Sequence, residues 1–161
     1  MDCTIKSIGL ISDTHGLLRK EVLDILQGVD LIIHAGDIGK DGIIESLNKI
    51  APVLAVKGNV DKHQWAEELP LSRRIELDDH RLLIIHNLND LDYAPQDKDI
   101  NVVIYGHSHK PSENVKEGVI YINPGSIGPR RFKLPISLAL LTFNGKRVII
   151  DFKYIENTNN S

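Results

Sequence analysis

The first sixty residues alternate short apolar runs with stretches of helical spacing, and this alternation restricts the fold more than any other feature of the chain. Residues 5–11 read as a buried strand that ends abruptly in Ser12-Asp13-Thr14-His15-Gly16. Over residues 17–28, Leu18, Val22, Leu23, Ile25 and Leu26 recur at helical spacing, and Gly28 closes the segment. A second run, Leu31-Ile32-Ile33, ends in His34-Ala35-Gly36-Asp37. Residues 42–50 read as a second helix with Ile43, Ile44, Leu47 and Ile50 inward, and Pro52 breaks it. A third strand at 53–56 ends in Lys57-Gly58-Asn59-Val60-Asp61. Strand–helix–strand–helix–strand order predicts parallel strands joined by crossover helices.

The second half changes character. Residues 74–77 and 82–86 flank Asp78-Asp79-His80, a hairpin turn in which His80 is expected to be exposed. Strands are predicted at 102–105, ending in Gly106-His107-Ser108-His109, and at 119–122, before the turn Asn123-Pro124-Gly125-Ser126. Two more, at 137–143 and 148–154, surround Asn144-Gly145, a strong hairpin signal. The prediction is an α/β fold of two packed mixed β-sheets flanked by helices. Residues 1–155 form one domain and 156–161 a flexible tail. The apolar segment 136–141 is suited to pairing within the chain or to a homo-oligomer interface.

Composition removes several function classes. A chain of 161 residues is one domain's length, and 42% apolar residues suffice for a sizeable core. The net charge of −3 without a Lys/Arg block argues against duplex nucleic acid as a partner. Cys3 is the single cysteine, so there is neither a disulfide framework nor a thiolate metal cage. With no leader-like or membrane-spanning stretch, the sequence reads as a soluble cytoplasmic protein.

Polar donors stand at the ends of five strands: Asp13 and His15, Asp37, Asn59, His86, and His107 and His109. In α/β sheets the carboxyl edge is where ligands bind. Capping or core packing explains any one of these residues but not all seven together. The donors are oxygen and nitrogen only, a set that suits Mn²⁺, Fe²⁺, Co²⁺, Ni²⁺ or Zn²⁺. Seven ligands are too many for one open catalytic ion and enough for two if a carboxylate bridges.

Asp13-x-His15, Gly36-Asp37, Gly58-Asn59-x-Asp61, His86 and Gly106-His107-Ser108-His109, in this order, resemble the calcineurin-like metallophosphoesterase superfamily, in particular its small single-domain bacterial and archaeal phosphodiesterases. The resemblance covers about the first 130 residues, through Asn123-Pro124-Gly125-Ser126. It implies a four-layer α/β/β/α sandwich and two divalent ions, Mn²⁺ first among them. Asp13, His15 and His109 would hold one ion, Asn59, His86 and His107 the other, and Asp37 would bridge. Asp37, Asn59 and His86 are the residues expected to carry catalysis. A bridging hydroxide would attack the phosphorus of a small phosphodiester substrate.

Two positions depart from the family pattern. Many members have His after the Asn, in contact with the phosphate and able to protonate the leaving group; here it is Val60. Loss of a general acid costs typically 10²–10⁴-fold, which predicts a preference for acidic leaving groups such as aryl esters. The second is Asn87, where the family usually has Gly, so a side chain is expected near the second metal. His34 is a candidate to orient a ligand or to pack in the core, Asp61 to hydrogen-bond around the Asn59 turn, and His63, Arg130 and Arg131 to lie at the surface, the alternatives being His63 as a substitute general acid and one arginine meeting a substrate phosphate. Two other functions compete: a non-catalytic scaffold of the same fold, like the retromer subunit, and a phosphomonoesterase. The scaffold gives no chemical reason to keep His86, His107 and His109. Monoester dianions call for more positive charge at the phosphate than Val60 offers.

Overall fold

A computed structural model describes residues 5–131 and 133–156. Cys3 and the tail beyond residue 156 lie outside the described residues. The strands are β1 (Ser7–Ile11), β2 (Leu31–His34), β3 (Val53–Ala55), β4 (Ser72–Leu77), β5 (His80–Ile85), β6 (Val102–Ile104), β7 (Ser112–Lys116), β8 (Val119–Asn123), β9 (Ile136–Asn144) and β10 (Arg147–Ile155). The helices are α1 (Lys20–Ile25) and α2 (Ile43–Asn48). The strands form two five-stranded sheets, ordered β10-β9-β1-β2-β3 and β4-β5-β6-β8-β7.

The first sheet is parallel on one side, β1-β2-β3, and antiparallel on the other, β10-β9-β1; the second has a parallel centre, β5-β6-β8, with antiparallel β4 and β7 at its edges. The predicted crossovers through α1 and α2 are present, so β1, β2 and β3 all point their carboxyl ends the same way. Side-chain alternation then fills the layers. Ile8, Leu10 and Ile33 face Leu82, Ile84 and Ile104 across the space between the sheets. Ile11 and Ile32 turn outward onto Val22, Leu26 and Leu47 of the helical layer. The far face of the second sheet buries Leu83, Ile85 and Val103 under Leu88 and Leu91. That fourth layer is built from 3₁₀ turns, Leu88–Asp90 and Pro95–Lys98, rather than from α-helices.

Several local expectations shift. Both helices are shorter than their apolar spacing: α1 starts only after Arg19, which is extended and anchored by hydrogen bonds to the carbonyls of Ile127 and Gly128, and α2 after Gly42 in the left-handed region. Strand β7 was not foreseen: Ser-Glu-Asn-Val-Lys is an exposed edge with no apolar alternation, held by its ladder to β8. The β9–β10 turn is Gly145-Lys146, since Asn144 pairs with Arg147. Glycine at the first central position with φ +64° fits a type II′ turn.

His80 corrects the sequence reading. It lies in β5 and is buried, stacked on Phe143 at 4.1 Å with a ring nitrogen 3.0 Å from the Gly145 carbonyl oxygen. Residues 136–141 are spent within the chain, as β9 runs between β1 and β10. No helix among the described residues is long and apolar enough to cross a membrane.

Candidate metal centre

Asp13, His15, Asp37, His86, His107 and His109 converge where the carboxyl ends of the two sheets meet. They form two groups, Asp13/His15/His109 and Asp37/His86/His107, and within each group one potential ligand atom per residue lies within 4.8 Å of the others. The groups adjoin: His15 Nε2 is 3.6 Å from both Asp13 Oδ1 and Asp37 Oδ2. Asn59 is the seventh expected residue. It sits exposed on the turn after β3, between Gly58 and Val60, which both abut Asp37.

The backbone has been bent to aim these groups. Asp13, His15, Asp37, His107 and His109 all have positive φ, between 45° and 75°. Such conformations cost roughly 1–3 kcal/mol each at non-glycine residues and persist only where the surroundings enforce them. Glycine permits the close approach at two points. A Cβ on Gly58 would collide with the Asp37 backbone and carboxylate, and one on Gly106 with Ser12 Oγ.

Each carboxylate is held by one oxygen and offers the other. Asp13 Oδ2 accepts from Ser12 Oγ–H at 2.7 Å and from the His107 N–H at 3.2 Å. Asp37 Oδ1 accepts from the Val60 N–H at 3.1 Å. Asp13 Oδ1 is left buried without a hydrogen bond, as are His15 Nε2, His86 Nε2 and His109 Nδ1. His15 Nε2 and His86 Nε2 lie 3.6 and 3.9 Å from Asp13 Oδ1, which His109 also faces with Nε2 at 3.4 Å, a costly arrangement that a bound cation relieves.

His86 makes the case most sharply. Its Nδ1–H donates to the Ala35 carbonyl at 2.8 Å, so the neutral ring presents a lone pair at Nε2. That lone pair faces Asp37 Oδ2 at 3.2 Å, acceptor against acceptor. A positive charge between them, a proton or a metal ion, turns repulsion into attraction. Burial disfavours the charged form of both partners. The Asp37 carboxylate outweighs this at His86 and holds its pKa above the ordinary value, while His86 and the Val60 N–H hold Asp37 below its own. Burial likewise opposes ionisation of Asp13, but His109, His15 and Ser12 prevail and keep its carboxyl far below the carboxylate range. The Asp13 carboxylate raises His15 in turn. The residues present therefore fit divalent cations, two charged carboxylates facing histidines that demand a positive partner.

Residues around the centre fix this geometry. Asp61 is buried and accepts three backbone N–H bonds, from Ile38, Gly39 and Gly58 at 2.9–3.1 Å, tying the turn after β2 to the turn after β3. Its reach exceeds the local role expected of it. Asn87, expected near a metal, accepts the Asn89 N–H and caps the 3₁₀ turn that follows. Ser12, Asn123 and Ser126 were missed as individual contributors. Asn123 donates to the Gly106 carbonyl and Ser126 to that of Asp13, joining the histidine loop to β1. A hydroxyl beside a strand-end carboxylate was the one available signal, for Ser12. Arg130, Arg131 and His63 are exposed, as expected.

His34 stands behind the centre. It is fully buried, its Nδ1 accepts the Gly36 N–H at 3.1 Å, and Nε2–H donates to Thr14 Oγ1 at 3.0 Å. Thr14 donates onward to the Ile38 carbonyl at 2.7 Å. His34 thus positions the loop between Asp13 and His15. Burial pushes its pKa down to about 4 from 6.5. Between these values the unfolded chain binds the proton and the fold does not, so stability falls as pH drops from 6.5 toward 4, by about 3 kcal/mol in all. Denaturant titrations of the metal-free protein at pH 7 and 4.5 will show a steeper loss in wild type than in His34→Asn. His15 and His86, raised in the fold, act in the opposite direction in both proteins, so the difference between slopes isolates His34.

Comparison with known proteins agrees with this geometry. Residues 7–146 match the sequence profile of the calcineurin-like phosphoesterase superfamily domain. A probable metallophosphoesterase of Methanothermobacter thermautotrophicus is 34% identical over 153 residues, covering 88% of each chain. A Methanocaldococcus jannaschii protein named as a phosphodiesterase is 29% identical over 136 residues, covering 73% of this chain and 82% of its own. The solved structure of an archaeal phosphodiesterase superposes with a TM-score of 0.77 at 25% identity, covering 91% of this chain and 99% of that one. The clustered Asp and His groups, the paired mixed sheets and these similarities place the chain in the calcineurin-like phosphoesterase superfamily.

Proposed function

We propose that this protein is a metal-dependent phosphodiesterase with two divalent ions, Asp13, His15 and His109 holding one, Asn59, His86 and His107 the other, and Asp37 between them. The observation that carries the reading is the His86 Nε2 lone pair set against Asp37 Oδ2 at 3.2 Å, an arrangement that calls for a cation. Such ions supply polarisation of the phosphoryl oxygens and hydroxide at neutral pH. The chain's own part is to fix the ligands. Ser12 and the His107 N–H orient Asp13, the Val60 N–H orients Asp37, and the Ala35 carbonyl sets the His86 tautomer. The oxygen and nitrogen donors accommodate Mn²⁺, Ni²⁺, Fe²⁺, Co²⁺ or Zn²⁺, and Mn²⁺ is put first because the family resemblance implies it. One cysteine in 161 residues suits a cytoplasmic setting.

Chelator-treated protein is expected to lose hydrolysis of bis(p-nitrophenyl) phosphate and to regain it with Mn²⁺ or Ni²⁺. Elemental analysis of the reloaded protein should then give two ions per chain. Full loading without turnover on diester or monoester would overturn the phosphoesterase reading, and faster turnover of p-nitrophenyl phosphate would make it a monoesterase.

Val60 shapes the substrate preference. Its side chain is 38% exposed beside the centre and can neither protonate an alkoxide nor contact a phosphate by charge. Diesters with aryl leaving groups should therefore turn over well and alkyl ones poorly. Val60→His is expected to raise kcat for an alkyl leaving group by about 10²-fold and to change the aryl rate little. Equal effects on both would show that leaving-group protonation is not what Val60 withholds.

A further inference from the structure

A cavity of about 650 Å³ lies on the outer face of the second sheet, on the side opposite the apolar space between the sheets. Its volume is that of a small-molecule site. Tyr105 and Tyr121 belong to its floor, with Asn114 of β7 registered beside Tyr121. Tyr105 Oη is 3.0 Å from Ser112 Oγ, which ties that ring to the edge strand. Leu88, Leu91 and Tyr93 form the wall, from the stretch that Asn87 caps. Gln96 and Lys116 complete the rim.

The cavity and the centre share one edge of the fold. Leu88 follows His86 by two residues and Tyr105 precedes His107 by two, so each pair of Cα atoms is within roughly 7 Å along the chain. Because side chains alternate, His86 faces the centre while Ile85 and Tyr105 face the outer layer. The Gly106-His107 turn, with Gly106 buried and His107 exposed, is the rim between the two sites. A diester whose phosphorus lies at the centre has two arms, and one of them can cross this rim.

The lining chemistry names the arm. Tyrosine faces stack planar rings, typically for 1–3 kcal/mol per base. The Asn114 and Gln96 amides each present a donor and an acceptor, the pattern that a nucleobase edge complements. Lys116 adds a cation to the rim. We propose that this cavity binds the nucleobase of a nucleoside phosphodiester, making the retained arm of the substrate a nucleoside. This rests on the phosphodiesterase reading, and the test separates the two.

Metal-free protein is titrated with thymidine 5′-monophosphate, ribose 5-phosphate or phenyl phosphate and followed by amide NMR. Shifts at Leu88, Tyr93, Asn114 and Tyr121 are expected with the nucleotide alone. Separately, kcat/KM is compared for thymidine 5′-(p-nitrophenyl phosphate) and methyl p-nitrophenyl phosphate, which share a leaving group. The wild type should prefer the first, and Tyr121→Ala and Asn114→Trp should each cut that preference about tenfold. Asn114→Trp acts at an exposed edge position and fills the cavity without opening the core. No amide shifts, equal shifts with ribose 5-phosphate or phenyl phosphate, or an unchanged preference in both variants would overturn the inference. Nucleotide binding with no turnover of either ester would instead defeat the phosphodiesterase reading and leave the cavity assignment standing.

Discussion

Asp37→Asn will lose at least about 10³-fold in metal-dependent diester hydrolysis, some 4 kcal/mol of transition-state stabilisation, while making the metal-free protein more stable. Both effects follow from the same atoms. Asparagine accepts the left-handed backbone at φ 59° and keeps an oxygen for the Val60 N–H. Its amide nitrogen then replaces Oδ2 opposite the His86 Nε2 lone pair, and an acceptor–acceptor contact at 3.2 Å becomes a hydrogen bond. One such bond contributes about 1 kcal/mol, or ~2–4 °C in melting temperature for a chain of this size. The measurement is thermal unfolding in chelator at pH 8, beside hydrolysis assays with Mn²⁺. A lower melting temperature, or activity within tenfold of wild type, would contradict this account of the centre.

Asp61→Ala should cost about 3–5 kcal/mol of folding stability. The carboxylate is buried and satisfies three backbone N–H groups, each of which costs about 1–3 kcal/mol when left buried and unpaired. Domains of this kind have only about 5–15 kcal/mol in total, so the variant will stand near the limit of folding. The loss should reach the centre as well, because Asp61 joins Ile38 and Gly39, just after Asp37, to Gly58, just before Asn59. Urea unfolding gives the stability, and metal affinity measured in the folded range gives the coupling. A change below 1 kcal/mol with normal metal affinity would show that water replaces the carboxylate.

Much of this was legible along the chain because strands that end in ligands leave a local signature. The apolar runs before Asp13, Asp37 and His107 specify buried parallel strands, and the donors follow at once. What escaped notice depends on contacts far apart in sequence. His80 lies among polar turn residues, yet the β5 register carries it onto Phe143, and the ring stacks there. Strand β7 has no apolar alternation because one edge and both of its faces stay largely open, so only the ladder to β8 defines it.

For the seven expected donors, the sequence by itself determined residue types and order, since strand periodicity and the abrupt change to Asp, His and Asn are properties of consecutive residues. Tertiary structure alone decided their orientation. The anchoring of Asp37 by the Val60 N–H, the second bond to Asp13 from the His107 N–H, and the His86 tautomer all depend on groups more than twenty residues away, and only the Ser12 bond to Asp13 is local. The spacing of charges at the centre is a property of two sheets meeting at their carboxyl ends, and no local pattern encodes a distance between sheets.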